Sequence, residues 1–207
     1  MKLRVAMIGC GLAAKFFHAP AYRRLDDVTE VVALSDLDES NMDLVAKVLG
    51  NSPKKYTSFS DMLTSEKLDM VDVMLPHNLY VKALPQVLDY CDNVLIEKPF
   101  ATNLDDATRI VDMSKGKRVS VVHNYLYGKR YSDALKRISE QEIGTLQILR
   151  LEHLSRVLFN NSHSSFSLGW RMDRKIAGES TFNDHDYHLV YLSRALIGSE
   201  IVGVTAR

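Results

Sequence analysis

The stretch IGCGLAA, residues 8–14, sets Gly9, Gly11 and Ala14 in a G-x-G-x-x-A pattern. It lies between an apolar run that reads as a strand and a run that reads as a helix. The first glycine permits a tight turn, the second lets the backbone approach a pyrophosphate, and the small third residue lets helix and strand pack closely. The N–H groups and dipole at the helix start, around Leu12 and Ala13, then face the phosphates. The next apolar run ends at Ser35-Asp36. A carboxylate there accepts hydrogen bonds from the adenosine ribose hydroxyls and repels a 2′-phosphate, so the reading favours NAD over NADP. The alternative is that Asp36 caps the following loop, with Asp38 or neither binding the ribose. Further on, the apolar run Val94 to Ile96 is followed by Glu97, Lys98 and Pro99. Ligands of a doubly wound sheet sit outside the carboxyl ends of its strands. Glu97 and Lys98 would therefore project toward the cofactor crevice, with Pro99 fixing their direction. The plainer reading is a surface lysine paired with Glu97.

The elements that must position these residues alternate along the first half of the chain. Strand patterns cover residues 3–8, 28–35, 55–56, 70–75, 93–96 and 119–123. Helical patterns cover 13–24, 39–49, 60–65, 80–90 (despite Pro85) and 104–114. Near-continuous apolar strands alternating with amphipathic helices predict a parallel sheet covered on both faces. Right-handed crossovers then give a doubly wound α/β Rossmann sheet. The pattern changes near Asn124. A helix over 133–141 ending at Gly144, a long strand over 146–157, a helix over 184–196 ending near Gly198 and a strand over 201–205 predict a partial α+β open-sheet domain. The expected domains are 1–123, binding dinucleotide, and 124–207, serving substrate binding and dimerisation.

The 207 residues carry 26 basic and 26 acidic side chains. That balance, with no block of like charge, argues against nucleic acid as a partner. Cys10 and Cys91 read as packing residues of a reducing compartment. No apolar stretch approaches ~20 residues, so no membrane span is expected, and the expected location is the cytoplasm.

AMIGCGLAAKFFHAPAY at the N-terminus, LPHNLY at 75–80, EKPFA at 97–101 and WRMD…AGESTFNDHDYH at 170–188 follow one another in a familiar order. The chain resembles the glucose–fructose oxidoreductase / inositol dehydrogenase / rhizopine-catabolism family of NAD(P)-dependent oxidoreductases. The resemblance implies a nicotinamide dinucleotide in the N-terminal domain and oxidation of a sugar, polyol or related alcohol, or reduction of the matching carbonyl. It places Lys98 of E-K-P near the nicotinamide and the reacting hydroxyl. It matches the family's D-x-x-x-H helix to Asp184 and His188, and sets Pro76 and His77 at the cofactor edge. Residues four apart share a helix face. His188 can take the hydroxyl proton, Lys98 can stabilise charge developing on that oxygen, and Asp184 can bind a hydroxyl or orient the site. The three are expected to converge beside the nicotinamide.

The chain departs from the family pattern at Glu179 and Ser180, where glycines are usual, at Leu126 in place of an arginine, and at Tyr80 in place of a histidine. Family members usually continue well past residue 207, so the chain is expected to be either a fragment or a short relative whose second domain needs a partner strand, and the protein is expected to form a homo-oligomer. Two rival readings stand beside this one. A metal site at Asp184, His185, Asp186 and His188 lacks a further clustered ligand. A dinucleotide-binding regulator without turnover is the other, since fold does not establish activity. His18, His153 and His163 read as structural, and Trp170 as packing.

Overall fold

The computed structural model describes residues 1–152, 169–178 and 186–205. Its contacts divide the chain into two compact units: Met1–Val122 with Phe166–Gly178, and His123–Ser165 with Glu179–Arg207.

The first unit is a six-stranded parallel sheet. Its strands are β1 (Leu3–Ile8), β2 (Thr29–Ser35), β3 (Lys54–Tyr56), β4 (Met70–Val73), β5 (Asn93–Ile96) and β6 (Arg118–Val121), in the order β3-β2-β1-β4-β5-β6. The order reverses between β1 and β4, the topological switch point where such sheets open a ligand crevice. Side chains alternate between the faces. Ala6, Ile8, Val71, Val73, Val94 and Ile96 belong to one buried cluster, and Val5, Met7, Val31 and Leu34 to the other. The helices are α1 (Ala19–Arg24), α2 (Glu39–Leu49), α3 (Phe59–Ser65), α4 (Tyr80–Tyr90) and α5 (Leu104–Met113). Helix α1 continues a π-helical turn, Ala14–His18, that starts directly after the glycine loop. Caps fix several starts: the side chains of Asp38, Ser58 and Asn103 accept from Ser40, Asp61 and Asp106 amides. Pro85 stands inside α4, whose buried Tyr80, Ala83, Leu84, Val87 and Leu88 hold it on the sheet. Residues 169–178 contribute a 3₁₀ turn, Gly169–Met172, and the short α6 (Arg174–Ala177), capped by Asp173.

The second unit differs from expectation in several places. Its first helix, α7 (Lys129–Ser139), begins before residue 133 and ends before Gly144; Gly144, at φ +70°, instead closes a turn by donating to the Gln141 carbonyl. Residues 146–152 and 201–205 pair in no strand. A strand exists only where a neighbouring backbone completes its hydrogen bonds, and neither run has such a neighbour among the described residues. Residues 153–157 lie outside them. Helix α8 (Tyr187–Ile197) ends, as expected, at Gly198 in the left-handed conformation, and buries His188, Leu192 and Leu196 along one stripe.

Candidate functional site

The carboxyl ends of β1, β2, β4 and β5 lie level. Gly9 donates to the Ser35 carbonyl (2.8 Å), Met74 to Ile8 (2.8 Å) and Glu97 to Val73 (3.1 Å). Gly9 takes φ +89°, and a Cβ there would overlap the Met74 carbonyl oxygen and stand 2.9 Å from its carbon. The turn therefore admits only glycine. Gly11 is exposed, and a Cβ added to it meets no atom within 4 Å among the described residues. It borders open space, which suits close approach of a diphosphate. Leu12 and Ala13 begin the helical run and are half-buried, while Ala14 is fully buried against the sheet.

Asp36 does more than either sequence reading supposed. Its Oδ2 accepts from the Cys10 amide (2.6 Å) and its Oδ1 from the Asp38 amide (2.9 Å). One carboxylate thus ties the glycine loop to the turn after β2. A carboxylate has about four acceptor sites, so these bonds leave capacity for ribose hydroxyls. Asp38 is committed to capping α2. Cys10 is buried, and burial together with the Asp36 charge pushes its thiol up to about 12, which keeps it unreactive.

Pro76 precedes a 3₁₀ turn, His77–Leu79. His77 is buried; its Nδ1 lies 3.3 Å from the Ala177 carbonyl oxygen, and its ring meets Trp170 edge-on at 4.7 Å. The Arg171 guanidinium lies over the other ring system of that pair, 4.5 Å from the Trp170 centroid. Tyr80 points into the core, with its hydroxyl 3.4 Å from the Val73 carbonyl. Lys98 is half-buried, and the Lys98–Pro99 peptide is cis. The Glu97 carboxylate turns back on its own loop, Oε2 accepting from the Lys98 amide at 2.9 Å.

The other Glu97 oxygen leads to a cluster that the sequence reading missed. Glu97 Oε1 lies 2.9 Å from Nε2 of His18, and Nδ1 of His18 lies 2.7 Å from Asp72 Oδ2. Tyr22 donates to the same Asp72 oxygen (3.0 Å). Asp72 is wholly buried in β4 and His18 is 7% exposed. Burial would push the ring toward neutrality, but the charges and hydrogen bonds of Asp72 and Glu97 outweigh it and carry His18 up to about 10. The signal was present in MVDVM: a carboxylate inside an otherwise apolar parallel strand needs a buried cation or donor. Sequence alone does not say which residue supplies it.

In the second unit His188 is buried. Its ring stacks on Tyr125 (centroids 4.1 Å, planes 10° apart) and its Nδ1 lies 2.6 Å from the Tyr191 hydroxyl. His123 stacks on Tyr191 and pairs through Nε2 with the Tyr187 hydroxyl (3.0 Å). Burial pushes His123 below its usual pKa. Asp184 lies outside the described residues, as do His185 of the metal alternative, Glu179 and Ser180.

Comparison with known proteins agrees with this geometry. Residues 3–125 match an oxidoreductase family with an NAD-binding Rossmann fold. The inositol 2-dehydrogenase/D-chiro-inositol 3-dehydrogenase of Lacticaseibacillus casei is 23% identical over 207 residues, covering 97% of this chain and 59% of that protein. An oxidoreductase of known structure from Thermotoga maritima superimposes with a TM-score of 0.78 at 25% identity, over 96% of this chain and 60% of its own. A levoglucosan dehydrogenase solved with NADH gives a TM-score of 0.77 at 21% identity, over 96% of this chain and 54% of its own, a likeness of fold. The chain spans about half the length of the curated relatives it matches.

Proposed function

The chain belongs to the oxidoreductase family that includes the glucose–fructose oxidoreductases, inositol dehydrogenases and rhizopine-catabolism proteins, and from that premise we propose that it binds NAD and transfers hydride between it and the CH–OH group of a sugar or polyol. The observation that carries this reading is the loop at the switch point: Gly9 in a turn only glycine can make, Gly11 bordering open space, and the loop fastened to Asp36. The chemistry of the donor set fits a dinucleotide. Backbone N–H groups at the helix start suit a diphosphate, and the Asp36 carboxylate suits ribose hydroxyls while opposing a 2′-phosphate, so NAD is preferred over NADP.

The nicotinamide, when bound, supplies the hydride acceptor. The chain's own residues supply the rest. Lys98, at the end of β5, donates a hydrogen bond to the substrate oxygen and stabilises the charge that develops there. His188 takes the hydroxyl proton. Asp184 binds a neighbouring hydroxyl. Names among the relatives, inositol and levoglucosan dehydrogenases, support a polyol or sugar as substrate class.

The test has two stages. Fluorescence titration with NADH and NADPH reads dinucleotide binding, and absorbance at the NADH band across a panel of sugars and polyols reads turnover. Tight NADH binding with oxidation of at least one panel member is expected. Binding without turnover on any of them would favour a regulator that has kept the fold and lost the chemistry. No dinucleotide binding at all would overturn both.

A further inference from the structure

Resting on the dehydrogenase reading, we propose that His18 is a positioning residue for Lys98: as a buried imidazolium it holds the Glu97 carboxylate, which in turn holds the Lys98 main chain. The chain of contacts is continuous. His18 Nδ1 meets Asp72 Oδ2 at 2.7 Å, His18 Nε2 meets Glu97 Oε1 at 2.9 Å, and Glu97 Oε2 accepts from the Lys98 amide at 2.9 Å. It joins β4, the helical run after the glycine loop and the end of β5.

The protonation state follows from the donor inventory. A neutral imidazole has one N–H; it could serve one carboxylate and would turn its lone pair on the other. Only the imidazolium donates to both. Asp72 already accepts from Tyr22, which burial and the Asp72 charge keep protonated, and Glu97 already accepts from the Lys98 amide. Among the described residues, the titratable groups facing the ring are Asp72 and Glu97, and the phenols of Tyr22 and Tyr80 face those carboxyl groups. With both carboxylates ionised the cluster carries one net negative charge. Asp72 Oδ1 has no hydrogen-bond partner among the described residues, so Asp72 depends on the His18 charge for much of its compensation. The helix supports the arrangement. The π turn Ala14–His18 buries Ala14 and His18 and leaves Phe16 and Phe17 exposed, and such turns accompany functional sites often.

Removing the His18 charge would leave two facing carboxylates at the root of the E-K-P loop. Glu97 would then swing away from Asp72 and release the Lys98 amide. A displacement of about 1 Å at a group that must meet a reacting oxygen lowers turnover by up to ~10²-fold.

The experiment uses the full chain without dinucleotide, labelled with ¹⁵N. At pH 7.5 both His18 ring nitrogens should show imidazolium shifts. On alkaline titration the Lys98 backbone amide should move with the same midpoint as the His18 ring. In His18→Gln the Lys98 amide should be displaced at every pH and lose that midpoint. A neutral His18 ring at pH 7.5, or a Lys98 amide indifferent to its titration, would overturn the proposal; the wild-type titration decides even if His18→Gln does not fold. A folded His18→Gln chain with an unmoved Lys98 amide would overturn it equally. None of these readouts needs turnover, so they stand or fall separately from the dehydrogenase reading. Where turnover is found, His18→Gln should lower kcat ~10-fold or more while NADH affinity stays within about twofold.

Discussion

His18 in the first unit and His188 in the second are both buried, at 7% and 9% exposure, and each engages a neighbour through Nδ1. Their surroundings differ in kind. His18 stands between the carboxyl groups of Asp72 and Glu97, and only the imidazolium can donate to both as carboxylates. His188 lies against the face of Tyr125 and pairs with a phenol. A hydroxyl both donates and accepts, so it can serve the neutral or the charged ring. Burial therefore tells little about what a histidine does; the character of its partners decides whether it is fixed in one state or able to exchange a proton. On this ground His18 suits an internal cation, and the phenol beside His188 is compatible with the proton exchange proposed for that ring.

The sharpest way to break this comparison is to remove the charge from one ring and the proton acceptor from the other. His18→Gln leaves Asp72 buried without its cation and should cost ~3–5 kcal/mol of folding stability. His188→Gln loses the hydrogen bond with the Tyr191 hydroxyl and the ring contacts with Tyr125 and Tyr191, and should cost ~1–2 kcal/mol. Urea unfolding of both variants checks this, and equal losses would erase the distinction. Turnover should show the reverse emphasis. His188→Ala should lower kcat by ~10²-fold or more, the scale for losing a general base, and Lys98→Ala should do similar damage with NAD binding largely intact. Full activity in His188→Ala would remove it from the mechanism.

The glycine loop offers a control inside the first unit. Gly9→Ala must adopt a positive φ and displace the Met74 carbonyl, so a loss of ~2 kcal/mol or more is expected. Gly11→Ala meets nothing among the described residues and should leave the unfolding midpoint unchanged, weakening only dinucleotide binding. Similar midpoints for the two variants would show that the turn is less constrained than its geometry requires.

Stability against pH sharpens the contrast between the units. The raised pKa of His18 means the folded state keeps a proton that the unfolded chain gives up. Its contribution is whole below about 6.5 and is lost as pH rises toward about 10. His123, lowered by burial, acts on the other side: the folded state refuses a proton, so stability falls as pH drops below about 6.5. Thermal unfolding from pH 5 to 10 should show both limbs, and His18→Gln should flatten only the alkaline one. The smallest effect concerns the cofactor. Asp36→Ala should weaken NAD several-fold and narrow its advantage over NADP. Equal or tighter NADP(H) binding by the wild type would contradict the role given to Asp36.

Much of the first unit was legible because its signals are local. The strand and helix periods, the glycines at 9 and 11 and the carboxylate after β2 each follow from a few neighbouring residues and the backbone they require. The second unit was read less well. Its expected strands rested on apolar runs, of which the described residues 146–152 and 201–205 form none, and an apolar run becomes a strand only when another backbone pairs with it. Asp72 shows the same limit within the sheet. The sequence set Asp72 within an apolar strand run and Glu97 directly after another. Only the tertiary structure chose their common partner, because β4 and β5 lie side by side and the helical run after β1 crosses them. That packing brings His18 to residues 54 and 79 positions away. It turns a histidine that looked structural into the one charge that holds the cluster together.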